Sequence, residues 1–258
     1  MGAPSNANLA LVTGASRGIG AAIAEVLAES GFRVALLARD VEALSRLEKK
    51  LTSAGAQVRS FACDLADEAA VNATLARIEA SLGVPGVLVN NAGYGGPFHR
   101  ADEVSRQEWD TLFGVNVDGV HQLCRWVLPR MKAQGYGRIV NISSTLGLFG
   151  GALSSTYAAT KHALVGYSKS IAAEWGAYGI TCNAVCPGYT DTEMLAKAPT
   201  EMRKELLRRI PAGRFGTPEE VARLVAFLAG PFGGYINGGT LVIDGGLSSH
   251  LANDLPSF

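Results

Sequence analysis

Short apolar runs recur along the chain, at Leu9 to Thr13, Val34 to Ala38, Val58 to Ala62, Gly86 to Asn90, Arg138 to Ser143, Thr181 to Cys186 and Thr240 to Ile243. Each is of strand length, and most are continuous rather than alternating. Alternating strands keep one wet face, whereas continuous Val/Ile/Leu strands are covered on both, the habit of parallel sheets flanked by helices. Helix-like stretches lie between them. Ala21 to Ser30, Val41 to Ala54 and Glu68 to Leu82 are followed by Gly31, Gly55 and Gly83, the glycine expected just past a helix C-terminus. The pattern predicts an α/β fold, a Rossmann-type doubly wound parallel sheet of about seven strands with helices on both faces. Such sheets bind ligands outside the carboxyl ends of their strands, so the chemistry should cluster just after each strand.

Composition narrows this picture. The 258 residues carry 23 basic and 23 acidic side chains, a formal net charge of zero. That balance argues against a surface that wraps nucleic acid. Charged residues make up 18% of the chain, below the roughly 25% usual for soluble domains, which implies surface covered by other subunits. No linker or charge run divides the chain, so residues 1–258 read as one domain. Apolar stretches such as Val34 to Ala38 and Leu224 to Ala229 fall far short of the ~20 residues a membrane-spanning helix needs. The start, MGAPSN, lacks a basic n-region, and Asn6 stands where a myristoylation signal wants Ser or Thr. A cytoplasmic address is expected. Cys63, Cys124, Cys182 and Cys186 form no Cys-x-x-Cys pair, and the histidines are scattered singly, so no metal site is expected.

Thr13 to Gly20 reads TGASRGIG, directly after the first strand and directly before a helical stretch starting near Ile19. Gly14 permits a tight turn, Gly18 lets backbone approach a pyrophosphate, and Gly20 allows close helix-strand packing. The helix start, past Ser16 and Arg17, supplies free N–H groups and the positive dipole end. The usual fold places a carboxylate at the end of the second strand, where it accepts from a ribose 2′-hydroxyl. Here that strand ends Leu37-Ala38-Arg39. Arg39 and Arg17 can instead meet a 2′-phosphate through charge-assisted contacts, which predicts NADP(H) as cofactor. The plain alternative is a pair of solvated turn arginines. Asp64, followed by Leu65 at the end of the third strand, can bond an adenine or cap the next helix. After the fourth strand, Asn91, Ala92 and Gly93 offer small residues against a cofactor.

Tyr157 and Lys161 stand four apart in the helix-like stretch Ser155 to Ser170, on one face. They follow Ser143-Ser144 at the end of the fifth strand and precede Pro187-Gly188 at the end of the sixth. A free phenol has a pKa near 10, so only about 0.1% is phenolate at pH 7. A neighbouring ammonium favours the anion, and a shift of about three units takes roughly 4 kcal/mol of differential stabilisation. Tyr157 then becomes a usable acid and base. In a carbonyl reduction, negative charge grows on the oxygen; Ser144 can donate a hydrogen bond to it and Tyr157 a proton. Side chains alternate along a strand, so only one of Ser143 and Ser144 faces the site, and Ser144 is preferred.

The motifs TGASRGIG, NNAG, Asn116, NISS, YAATK and PGYTDT, in this order, resemble the short-chain dehydrogenase/reductase family over nearly the whole chain. The resemblance implies a catalytic set of Asn116, Ser144, Tyr157 and Lys161. It further implies that Lys161 bonds the nicotinamide ribose, that Asn116 holds a water in a proton relay, and that Thr192, with Pro187, Gly188 and Thr190 beside it, anchors the carboxamide. The ending RIPAGRFGTPEEVA…LVIDGG is similar to the beta-ketoacyl reductase branch. Bacterial members of that branch often carry basic docking residues where this chain has Gly135 and Tyr178, which sets carrier-protein docking apart from the expectation.

Pocket walls are expected from Gly95, Gly96, Leu146, Phe149, Leu153, Tyr189 and the segment Glu193 to Ile210, with a substrate lid around 190–215. Most are apolar, which suits an uncharged carbonyl chain over a sugar phosphate. Met202 to Ile210 reads as an amphipathic lid helix whose Arg203, Lys204, Arg208 and Arg209 meet solvent, an acidic carrier protein or a coenzyme A phosphate. The expected activity is NADPH-dependent reduction of a ketone, a free carbonyl compound or an acyl thioester, to a secondary alcohol. The alternatives are a secondary-alcohol or hydroxysteroid-like dehydrogenase and, outside catalysis, a nucleotide-sensing regulator. The family resemblance also implies a homotetramer or homodimer built on the helices around Val104 to Lys132 and Thr156 to Tyr178; apart from it, Leu255 and Phe258 in the tail Leu247 to Phe258 suggest that the tail packs across such an interface.

Overall fold

Each apolar run forms a strand close to where the pattern places it, in a computed structural model that describes residues 8–196 and 198–249. The chain runs β1 (Leu9–Thr13), α1 (Gly18–Glu29), β2 (Arg33–Ala38), α2 (Val41–Ser53), β3 (Val58–Ala62), α3 (Glu68–Leu82) and β4 (Val87–Asn90). It continues with α4 (Arg106–Phe113), a π turn (Gly114–Asp118), α5 (Gly119–Gln134), β5 (Gly137–Ile142), α6 (Ser155–Trp175) and β6 (Ile180–Pro187). It closes with α7 (Glu193–Ala196), α8 (Thr200–Arg208), α9 (Pro218–Ala229) and β7 (Thr240–Ile243).

The strands make one seven-stranded parallel sheet in the order β3-β2-β1-β4-β5-β6-β7. The order reverses between β1 and β4, with Val12 in register between Leu36 and Val89. One face buries α1, α2 and α9 through Ile23, Leu27, Leu44 and Val225; the other buries α3, α5 and α6 through Leu75, Leu123 and Leu164. Truncating any one of these leucines to alanine removes about 2–5 kcal/mol. The inner strands β1, β4, β5 and β6 are buried along their whole length. Coverage on both faces does not extend to the edges: β3 and β7 keep exposed or half-buried positions, since they lie at the margins of the flanking helices.

Local chemistry sets the helix ends. Asp40 and Asp67 accept backbone N–H bonds from Ala43 and Ala70 at the starts of α2 and α3. The cap of α3 is therefore Asp67, and the capping role considered for Asp64 is corrected. Ser105 with Glu108 and Thr217 with Glu220 form reciprocal capping boxes on α4 and α9. The lid helix begins at Thr200, two residues before the apolar pattern suggested, because Pro199 and the preceding turn start it earlier. Among the described residues no helix is long and apolar enough to cross a membrane. Residues 250–258 of the tail expected at an interface lie outside the described residues.

Gly20 is a tight point in this packing: a β-carbon there would lie 2.2 Å from the Gly14 carbonyl oxygen and 2.4 Å from Asn91 Nδ2. Gly20→Ala should therefore lower unfolding free energy by about 1–3 kcal/mol in chemical denaturation, although alanine is the better helix former. Unchanged or raised stability would contradict this packing.

Candidate active site

The carboxyl ends of β1 and β4 are tied together where the strand order reverses. The buried Thr13 hydroxyl donates to Val89 O (3.3 Å) and accepts from the N–H groups of Asn91 and Ala92, each at 3.0 Å. Asn91 Nδ2 returns to Thr13 O (2.9 Å) and Gly14 O (3.3 Å). Gly14 and Gly18 both have left-handed backbones, φ 64° and 56°, and a β-carbon on Gly14 would lie 2.8 Å from Ala92 Cα. The glycine-rich turn thus lies against the NNAG segment. α1 begins at Gly18, and its N-cap residue Arg17 makes no side-chain cap, so the helix start is open to an anion. Opposite it, the side chain of Thr192 stands 3.4 Å from where a Gly18 β-carbon would be. The turns after β1, β4 and β6 therefore converge on one cleft.

Further along the cleft rim, Arg39 has a largely exposed side chain whose Nη1 lies 3.8 Å from Asp64 Oδ2. Such a surface pair is weak and leaves the guanidinium able to rearrange. Asp64 Oδ1 also accepts from Ala66 N–H at 3.1 Å, and Leu65 is buried beneath it. Ser16 and Ile19 are half-buried in the turn, while Arg17 is exposed.

Behind the cleft, Asn90 Nδ2 donates to Asn141 Oδ1 (2.8 Å), and Asn141 Nδ2 donates to Ser168 Oγ (2.8 Å), fastening β4 to β5 and β5 to α6. The π turn between α4 and α5 delivers Asn116 fully buried. Its Oδ1 accepts from Tyr94 N–H (2.7 Å), while Nδ2 donates to Tyr94 O (2.9 Å) and Thr160 Oγ1 (3.1 Å).

At the end of β5 the two serines face opposite ways. Ser143 Oγ donates to Lys161 O at 2.9 Å, inside the core. Ser144 Oγ accepts from Leu146 N–H at 3.1 Å and lies within hydrogen-bonding reach of the Tyr157 phenol. Lys161 is buried, its Nζ donating to Ile142 O at 2.8 Å and lying 5.5 Å from the Tyr157 ring centroid. Burial lowers its pKa to about 8, against a smaller opposing pull from Cys186. The phenol moves the other way. Burial raises the Tyr157 pKa, and the Ser144 bond opposes it. The Lys161 ammonium donates to a backbone carbonyl and sits over the ring rather than on the hydroxyl, so burial sets the direction here; the expected lowering concerns a phenol beside a bound nicotinamide.

The expected substrate wall is only partly assembled. Gly95, Leu153 and Tyr157 line one small cavity with Pro97, Val104 and Leu112. Gly96, φ 70°, packs on Leu112; Leu146 packs under Gly151, while Phe149 and Tyr189 are exposed outside that cavity. The segment after β6 returns to its own start, with Asp191 N–H bonded to Gly216 O (2.8 Å) and Gly216 N–H to Tyr189 O (3.0 Å), closing an excursion that contains α7 and α8. In it Arg203, Lys204, Arg208 and Arg209 are paired with Asp191, Glu201, Glu205 and Glu205. Thr13 and Thr160, which hold the cleft together, are missing from the sequence reading; Thr13 lies inside the glycine motif, but nothing in the sequence marks Thr160.

A parallel sheet with a glycine cradle at its reversal point, and a serine, tyrosine and lysine at the next strand end, defines a nucleotide-dependent oxidoreductase. The family model described as "Enoyl-(Acyl carrier protein) reductase" matches residues 14–248, and the chain belongs to the short-chain dehydrogenase/reductase family. It is 38% identical over 242 residues to the 3-oxoacyl-[acyl-carrier-protein] reductase FabG of Pseudomonas aeruginosa, covering 93% of this chain and 96% of that one. It is 40% identical over 239 residues to D-threitol dehydrogenase of Mycolicibacterium smegmatis, covering 92% of each. Among solved structures, a variant actinorhodin polyketide ketoreductase with NADPH superposes with a TM-score of 0.90 at 36% identity, covering 96% of this chain and all of that one, 100%.

The depressed Lys161 pKa has a thermodynamic signature. Its folded value, about 8, lies below the model-peptide value of 10.5. Below pH 8 both states are protonated and the folded state bears the full cost of a buried ammonium; above 10.5 neither is charged and the cost is gone. Lys161→Met should thus gain most over wild type at pH 7, and the gain should shrink as pH rises from 8 to 10.5. Denaturant titrations at pH 7 and pH 10 measure the difference; a pH-independent one would contradict it.

Proposed function

We propose that the protein is an NADPH-dependent ketone reductase of the 3-oxoacyl reductase type, converting a ketone carbonyl to a secondary alcohol. The observation that carries this reading is the convergence of Ser144 and Tyr157 over the buried Lys161, at the mouth of the cavity lined by Leu153. The left-handed glycines, the open start of α1 and the nearby Thr192 side chain fit a dinucleotide laid across the cleft. A reduced nicotinamide bound there supplies the hydride. Ser144 then donates a hydrogen bond to the carbonyl oxygen as charge develops. Tyr157, kept protonated at neutral pH by its raised pKa, gives that oxygen its proton. Lys161, charged below pH 8, lies beneath the phenol and is the group assigned to the nicotinamide ribose. The Asn116 amide is committed to Tyr94 and Thr160, which makes it a positioning residue that holds the Tyr94 turn against α6.

Arg17 and Arg39 support NADPH, since β2 ends at Ala38 without a carboxylate and Asp40 is engaged in capping α2. The NADPH-bound ketoreductase neighbour points the same way. Exposed Phe232 and Tyr235 in the turn after α9, and exposed Val242 on β7, support assembly into a homotetramer or homodimer, and four buried unpaired cysteines suit a reducing, cytoplasmic setting.

Cofactor oxidation over a panel of acetoacetyl esters, aryl ketones, cyclic ketones and steroids tests the reading. Tyr157→Phe should remove nearly all turnover with NADPH binding retained, and Ser144→Ala should cost about 10²–10³ in kcat. NADPH should be preferred to NADH, and Arg39→Asp should erode that preference. Retained turnover in the Tyr157 variant, or a preference for NADH, would overturn the corresponding assignment.

A further inference from the structure

Tyr157 sits in the first turn of α6, and the start of that helix is held from outside it. Ser154, the residue before α6, makes no side-chain cap, and the Thr156 hydroxyl is buried without a hydrogen-bond partner. On its C-terminal side Tyr157 is fixed: its carbonyl accepts from Thr160 Oγ1 at 2.7 Å, and Thr160 accepts in turn from Asn116. On its N-terminal side lies Leu153, the one non-glycine residue with a left-handed backbone among the described residues, φ 61°. There an L-residue's β-carbon crowds the following carbonyl, so glycine, and less often asparagine, normally takes the position. Burial does not compensate, because Leu153 is 48% exposed. Relaxing this strain would turn the Leu153–Ser154 peptide and unwind the turn that carries Tyr157.

A strap from the loop between β4 and α4 opposes that relaxation. His99 N–H donates to Leu153 O at 3.1 Å, and His99 forms an isolated parallel bridge with Ser154. The strap is itself tied down on the α4 side. Both backbone groups of Tyr94 bond to the Asn116 amide, and Gly96, φ 70°, packs on Leu112 of α4. The last anchor is electrostatic: His99 Nδ1 lies 3.1 Å from Glu108 Oε1, within ion-pairing distance though outside hydrogen-bonding direction. Glu108 is held in turn by its other oxygen, Oε2, which accepts from Ser105 N–H at 2.8 Å in the α4 capping box.

Resting on the ketone-reductase reading, we infer that His99 and Glu108 are positioning residues for Tyr157. A strained conformation persists where its surroundings over-determine it, and such sites concentrate around function. Here the pair fixes residue 99 where its backbone clamps the Leu153 turn, and the first turn of α6 then keeps the phenol beside Ser144. Neither side chain has to touch substrate or cofactor to do this.

The test compares full-length wild type with His99→Ala, His99→Gln and Glu108→Gln, reading kcat on ethyl acetoacetate per NADPH site titrated by fluorescence. His99→Ala should lower kcat about 10- to 100-fold, the scale of a misplaced catalytic group, with NADPH Kd and ketone KM unchanged. Its solvent deuterium isotope effect on kcat should rise, because proton delivery from the displaced phenol slows. Glutamine at either position keeps a hydrogen-bonding pair without the charge, so both glutamine variants should stay within about threefold of wild type. Hydrogen exchange needs no substrate: the peptide covering residues 154–164 should open about tenfold more readily in His99→Ala, and as in wild type in His99→Gln. Wild-type kcat, isotope effect or exchange in His99→Ala would overturn the inference, as would a loss carried by Kd or KM, or one that glutamine does not rescue. Wild type that reduces no ketone with either nicotinamide cofactor, while exchange responds as expected, would instead overturn the reductase reading beneath it.

Discussion

The buried hydroxyl of Thr13 ties the ends of β1 and β4 together at the point where strand order reverses, and every other feature of the cleft is placed relative to that tie. It bonds β4 at Val89 and the segment just after it at Asn91 and Ala92, and Asn91 bonds back to Thr13 and Gly14. Removing the hydroxyl would leave two half-buried N–H groups unmet, at up to about 1 kcal/mol each. The glycines are the geometric counterpart of this tie. With side chains at Gly14 or Gly20 the turn could not lie against Asn91 and Ala92, and the start of α1 could not face the cleft. From this fixed edge, the Asn90–Asn141–Ser168 chain carries position across β5 to α6. Tyr157 and Lys161 thereby reach the cleft from a rigid helix rather than from a loop.

Electrostatics within the site follow from burial more than from pairing. Lys161 is desolvated and bonded to Ile142 O; its pKa falls to about 8, while the Tyr157 phenol moves up. A protonated phenol beside a donating serine suits the reducing direction, where the oxygen must gain a proton. The sequence argument expected Ser144, Tyr157 and Lys161 in one cleft, where the structure brings them, but spacing along a helix does not say that the ammonium's hydrogens point to a backbone carbonyl.

Much of the fold was legible because its signals are local. Continuous apolar runs and the glycines after α2 and α3 marked strands and helix ends to within a residue or two. The glycine turn was legible because each glycine answers a steric demand. What escaped depends on non-local contacts. Thr160 is ordinary in sequence and matters only because Asn116 reaches it through a π turn. The capping of α3 by Asp67 rather than Asp64, and the left-handed Leu153 held by His99, likewise emerge from the folded chain. Strand coverage failed at β3 and β7 because a residue's type does not say whether its strand is at the sheet's edge.

The account stands or falls on whether Tyr157 and Ser144 face a carbonyl beside a reduced nicotinamide. Turnover of ethyl acetoacetate with NADPH deuterated at the transferable C4 position, followed by mass and NMR analysis of the alcohol, addresses this directly. The account predicts one deuterium on the new carbinol carbon per cofactor oxidised. Alcohol free of label, or cofactor oxidised without alcohol formed, would contradict it.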